Sequence, residues 1–366
     1  MKLLSVAAML LCAFAGWAQN SNDQSWRETS SQQSTSGNLN PLRSRESHTE
    51  TDGRTVDKQA VERMGPDGRY VPYLDVERES VKVDADTTRT IERTYVRDPD
   101  GNRTLQQVIQ QETRSYRDGE QKVTRSVSSM DANGALQVVR RENSDSRQIS
   151  PNVRETKTTV LSPDLNGGLA PVAQVQERET KTGEHSSRFK KSTLLPDGNG
   201  SWQVSEVREG TLQGEAGKDQ VRDEKVSRPD GNGNLSVVER TVTKESAGAA
   251  GEMRHTTDKY AMDIPGTSSD GRLRLAERTV TVQQTNGATR QTMQRTQDAN
   301  AANPWDGMQT TGETIDIVRP GVSGSSQQKT TTLSVDSKGS LSPVWVDTSK
   351  KDSQPAIQVD TRTPPK

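Results

Sequence analysis

Oxygen-rich loops recur in this chain, and loops of that kind can hold calcium. The stretch "DGNGN" (Asp230 to Asn234) puts oxygens at the first, third and fifth positions of an EF-hand-like loop. Its sixth position is Leu235 rather than Gly, and its twelfth is Thr241 rather than Glu. Calcium takes six to eight oxygens, and each such turn offers one or two carboxylates, so the loop reads as a structural turn. The histidines are His48, His185 and His255, and no two stand at ligand spacing. "GVSGS" (Gly321 to Ser325) lacks the final glycine of a nucleophile elbow. Glu77, Glu177, Glu239 and Glu277 recur with the rest of the pattern and read as a solvated stripe. Trp202 fills the slot that Leu136 and Leu235 fill elsewhere, so packing explains it, and Trp305 beside Pro304 reads as packing or turn. No catalytic residue, enzymatic activity, metal or other cofactor is expected.

What positions these residues is a period. Gly68, Gly101, Gly134, Gly167, Gly200 and Gly233 stand 33 residues apart, and Gly271, Gly307 and Gly339 continue the series more loosely. Asp98, Asp131, Asp164, Asp197 and Asp230 each precede their glycine by three residues, with Gly65 in the first copy. The unit D-x-[DN]-G suits a type I turn closing on a left-handed glycine, a common hairpin connection with a bulge at the glycine.

Strands should flank such turns. Tyr70, Leu136, Leu169, Trp202 and Leu235 follow their glycines by two residues, and Leu105, Val138, Val204 and Val237 by four. A spacing of two puts these side chains on one strand face, with Arg103, Pro72 and Pro171 as exceptions. Val61, Thr94, Val127, Val160, Thr193 and Val226, seven residues before each glycine, are all β-branched. The pairs Val138-Val139 and Val237-Val238, like Val108-Ile109, break strict alternation and suggest bulges or places where both faces are covered. Small-residue stretches such as Ser246 to Gly251 look like loop insertions.

The chain opens with Lys2, the apolar run Leu3 to Phe14, and small residues at Gly16 and Ala18. That pattern predicts a signal peptide over 1–18, cut after Ala18, with no membrane span left after cleavage. Cys12 goes with it, so the mature chain has no disulfide. Residues 19–50, rich in Ser, Gln and Asn, read as a disordered linker, 51–346 as the β-hairpin repeat domain, and 347–366 as a disordered Pro-containing tail. Charges nearly cancel, with 49 basic and 50 acidic residues, so no nucleic-acid partner is indicated, and any other partner stays unknown. Only 28% of residues are hydrophobic, too few for a large core.

Two phrases, "DGRLRLAERT" (Asp270 to Thr279) and "TYVRDPDGNRTL" (Thr94 to Leu105), resemble fragments of the YD/Rhs β-hairpin repeats of bacterial surface shells. The recurrent tyrosine of that family is missing and the period here is longer, so membership is not claimed. The fold expected is all-β: tandem hairpins of about 33 residues in an elongated antiparallel meander. Thin apolar content favours an open form, with a sandwich and a sheet closed on itself as the alternatives the sequence does not decide between. Strands carrying Glu, Arg, Lys and Gln at both parities argue against an outer-membrane barrel. The expected role is a secreted or periplasmic, non-enzymatic repeat protein with a structural or interaction surface. The alternatives are a calcium- or glycan-binding surface module, or a largely disordered chain that orders on a partner.

Overall fold

The computed structural model describes residues 25–353, apart from 36–37, 52, 66, 99, 118, 231, 249–250, 263–271, 300–306, 322–324 and 337–338. The signal-peptide segment and Gly271 lie outside the described residues. The first ten strands are β1 (Ser25–Thr35), β2 (Asn38–Thr51), β3 (Arg54–Met64), β4 (Tyr70–Lys82), β5 (Thr87–Arg97), β6 (Arg103–Ser115), β7 (Gln121–Met130), β8 (Leu136–Ser150), β9 (Val153–Pro163) and β10 (Leu169–Gly183). The second ten are β11 (Ser186–Pro196), β12 (Trp202–Gly214), β13 (Gln220–Pro229), β14 (Leu235–Ala247), β15 (Met253–Ala261), β16 (Arg274–Asn286), β17 (Thr289–Ala299), β18 (Met308–Pro320), β19 (Ser326–Val335) and β20 (Leu341–Ser353).

Each strand pairs antiparallel with its sequence neighbours, as short connections dictate. The all-β hairpin meander read from the sequence is therefore present. Its ends are not free. β1 pairs with β2 on one side and with β20 on the other, Ser31 facing Leu42 and Asp347. The meander closes into one 20-stranded ring, which decides between the open, sandwiched and closed forms that the sequence left undecided. Closure removes both sheet edges, whose unpaired backbone groups would otherwise invite foreign strands. A circular ring of 20 strands tilted by ~40° is about 40 Å across at the backbone.

The bend that closes the ring is written into each repeat. Tyr73, Gln106, Val139, Val172, Ser205, Val238, Ala276, Thr311 and Val344 are each skipped by the partner strand. The first six follow their glycine by five residues. Such bulges raise the local twist and bend the sheet, and their repetition at one level also pins the register. Val139 and Val238 are the bulged members of two doubled valine pairs; Val108-Ile109 lies past its strand's bulge at Gln106.

Two further expectations change. The segment 19–50 carries β1 and most of β2, and β20 extends into 347–353, where linker and tail were expected. Low apolar content gave the disorder reading, yet these strands are held by the backbone ladder they share with their neighbours. Leu136 and Leu235, expected to pack, are 44% and 51% exposed beside the turns. Among the described residues the buried apolar side chains are Val61, Val108, Val207 and Val226, so no central core fills the ring. Val61 and Val226 belong to the β-branched row seven residues before the glycines.

Candidate functional site

The pleat divides the wall into two polar faces. One face holds hydroxyl ladders. Thr243 meets Thr257 at 3.3 Å, and the row continues through Thr279 and Thr296 on β16 and β17. Ser144 and Thr158 are 2.7 Å apart, and Ser146 and Thr156 are 2.8 Å apart. That face also carries ion pairs, such as Arg125 with Glu142, but the opposite face holds those of Arg89 with Glu112, Arg240 with Asp223, Arg278 with Asp258, and Arg295 with Glu313. Arg240 and Arg278 engage both oxygens of their partners, the planar geometry that guanidinium offers.

The densest charge cluster lies on the ion-pair face where β2 to β6 meet. Asp75 is 8% exposed. It accepts from Arg97 Nε at 2.8 Å and lies 3.1 Å from Arg103 Nε. Arg103 also donates to Glu77 at 2.8 Å and stacks over the Tyr95 ring, 3.9 Å from its centre. Arg97 donates a further bond to the carbonyl of Gly101, tying the cluster to the turn. Beside it is a hollow of about 600 Å³, lined on this face by Arg45, Lys58, Ala60, Asp75, Arg97 and Arg103 among others. Ala60 is its floor: the register sets the short side chain between Arg45 on β2 and Asp75 on β4.

This cluster is where the repeat is broken. Stepping by 33 from Asp75 gives Val108, Arg141, Gln174 and Val207. Val108 and Val207 are 6% and 5% exposed, so Asp75 puts a carboxylate into a slot that is apolar and buried in two other copies. Arg97 stands where other copies have Met64, Met130 and Pro163, and Arg103 where they have Tyr70, Leu136 and Leu169. Three departures from one repeat thus meet at a single carboxylate. Sequence reading registered Arg103 as an exception but not its two partners; comparing all copies slot by slot would have found them.

The turn residues sit at the rim between incoming and outgoing strands. Gly68, Gly101, Gly134, Gly167, Gly200, Gly233 and Gly339 have φ between +76° and +85°. Asp230 shows what the aspartates do. Its Oδ1 accepts from the amides of Asn232 and Asn234 at 2.8 and 2.9 Å, and its carbonyl accepts from Gly233 at 3.0 Å. Asp131, Asp164 and Asp197 repeat the double bond, and Asp98 accepts from the amide and side chain of Asn102. The Asn234 and Asn232 amides hold the Asp230 carboxyl below its usual value, and the Asn102 side chain and amide do the same for Asp98. The aspartate oxygens are spent on their own backbone, which is a turn's chemistry rather than a calcium site's. Of the histidines, His48 lies on β2 beside Asp57, and His255 on β15.

No known family model matches the chain, and no curated protein matches it. Solved structures do. The siderophore receptor PirA from Acinetobacter baumannii superposes with a TM-score of 0.50 at 7% identity, over 92% of this chain and 81% of that one. A ferric enterobactin receptor from Pseudomonas aeruginosa gives 0.48 at 7% identity, over 92% and 81%. The first likeness shows the fold: a large, closed, antiparallel barrel of the kind found in outer-membrane receptors. The expected secreted or periplasmic repeat scaffold is therefore corrected: it was read from self-similar residues without a chemical cluster, and the ring has the closed-barrel fold instead. The surface-module and disordered-chain alternatives fall with it. The argument from strand polarity had judged the wall's surface chemistry; it said nothing about closure.

Proposed function

We propose that the chain is a hollow, polar-walled barrel of the outer-membrane class, serving as a conduit for water-soluble solutes. Ring closure through the β1–β20 ladder carries this reading. Barrels of 16–18 strands leave an aqueous channel, and 20 strands make a wider ring. Strands of 9 to 15 residues reach the 9–11 residues that cross a bilayer when tilted. The role is passage and not catalysis.

The wall's chemistry favours a second reading, in which a protein sheath surrounds the same conduit within the envelope. Neither face carries the alternating apolar band that acyl chains require, and an Arg or Lys at the bilayer midplane costs ~2–4 kcal/mol. Cross-strand pairs such as Arg295–Glu313 offset part of that cost. Reconstitution separates the two. Flotation with liposomes and stepwise conductance supports a barrel seated directly in lipid. Conductance seen only after adding envelope extract supports the sheath. Full-length protein that opens no solute path in either setting refutes the conduit.

A further inference from the structure

The geometry points to a binding site for a small phosphate-class anion in the hollow over Ala60, held by Arg45 and Lys58. The inference stands on the wall alone and survives if the barrel conducts nothing.

Six charged side chains of the ion-pair face line the hollow: Arg45, Lys58, Arg97 and Arg103 against Asp75 and Glu77. Glu46 also borders it, but the register puts Glu46 on the opposite face, where it accepts from Gln59. Asp75 and Glu77 are already taken by Arg97 and Arg103. Lys58 faces Glu77 directly across β3 and β4, yet Arg103 has claimed that carboxylate. Among the described residues Arg45 and Lys58 are left exposed, with no hydrogen bond or ion pair. They are diagonal neighbours on β2 and β3, so their Cβ atoms are ~7 Å apart, close enough for both long side chains to reach one oxyanion.

The surrounding network gives the site its rigidity. Arg97 and Arg103 are locked on Asp75, and Tyr95 supports Arg103 from below. A guest entering over Ala60 meets two free cations and two fixed ones at their edges. Phosphate carries between one and two negative charges at neutral pH, which suits two uncommitted cations, and its oxygens suit the guanidinium fork. Opposite Arg45 on β1 the register position is Glu28. The asymmetry of the repeat supports a dedicated site. Ala60 is replaced by Arg93, Ser126, Thr159 and Ser192 in the next copies; Lys58 is replaced by Ile91 and Thr124 and returns as Lys157 and Lys190, so the short floor residue is what sets this copy apart.

Calorimetric titration of the full chain with inorganic phosphate at low salt tests the assignment. Saturable binding of one phosphate per chain is expected. Arg45→Gln or Lys58→Gln should each weaken it about tenfold, the scale of one charge-assisted hydrogen bond. Ala60→Leu changes no charge but fills the hollow, and should abolish binding while the far-ultraviolet spectrum stays that of the parent. Vesicles containing phosphatidic acid identify the source. Cosedimentation lost in both Lys58→Gln and Ala60→Leu assigns the ligand to a lipid headgroup; cosedimentation absent or unchanged assigns it to free phosphate. Phosphate that fails to saturate, or that binds Lys58→Gln and Ala60→Leu as it binds the parent, overturns the proposal.

Discussion

Replacing Gly233 with alanine isolates the energetic worth of one turn. The residue has φ +81°, and a Cβ added there meets nothing within 4 Å. No clash contributes, so the penalty is that of holding an L-residue in the left-handed region, ~1–2 kcal/mol. Alanine also stiffens the unfolded chain, which returns ~0.4–1 kcal/mol. The net expectation is a loss of about 1 kcal/mol. Asparagine tolerates the left-handed region, so Gly233→Asn should cost much less. Gly101 and Gly167 sit in the same conformation with the same open space, and distant sites add. The triple alanine variant should therefore lose about 3 kcal/mol. Gly210 is the control, because its cost has another origin. It faces Phe189 across β11 and β12, and its added Cβ would lie 2.8 Å from that ring and run into the Asp223 carbonyl. Overpacking of that kind costs ~1–3 kcal/mol, and Phe189→Leu should relieve only the part owed to the ring in Gly210→Ala, the Asp223 carbonyl contact remaining, and leave Gly233→Ala untouched. Equilibrium urea unfolding read by tryptophan fluorescence gives the global numbers, and amide exchange at Asn234 and Leu235 reveals local fraying. The reasoning fails if Gly233→Ala matches the parent in both measurements, or if asparagine does as much harm as alanine.

Low pH should loosen the rim. The Asp98 and Asp230 carboxyls lie below 3.8 in the fold and regain that value on unfolding, so their contribution is complete above about pH 4 and disappears as pH falls through the folded values. Urea midpoints measured from pH 7 to pH 2 should show this drop, and the Asp98→Asn/Asp230→Asn variant should show a shallower one. Asp75→Val strips Arg97 and Arg103 of their shared partner and should cost about 2 kcal/mol, the scale of a lost charged hydrogen bond. Adding Arg97→Met and Arg103→Leu restores the apolar pattern of neighbouring copies and should recover that loss in the same urea assay, as replaced buried ion clusters often do. Deleting residues 341–353 removes β20 and reopens the ring, so the truncated chain should lose solute passage and form aggregates visible by light scattering.

Much of the local architecture was legible because it is governed by short-range chemistry. A glycine every 33 residues, with an aspartate three before it, has few backbone solutions, and the flanking β-branched row fixes strands on either side. Closure was illegible for the opposite reason. It depends on a pairing between residues some 310 positions apart, Gln33 with Trp345, and on small bends summed over many bulges. The polar stretch holding β1 carries no apolar stripe, since its strand is fixed by two neighbouring backbones rather than by a core. The Asp75 cluster hid in a third way. Arg97, Arg103 and Asp75 each look like an ordinary surface charge, and only their shared departure from the other copies, together with the fold, makes them one object.

The placement of a bulge within each of the nine hairpins from β3–β4 to β19–β20 also bears on how such a wall could change size. Each module brings its own bend and its own register lock, so duplicating or losing one copy leaves all the others undisturbed. Gaining one hairpin would lengthen the perimeter by roughly 12 Å, from two strand spacings corrected for tilt. Bore width in this lineage could thus evolve in discrete increments, by gene-level copying of a single segment, without redesign of any seam.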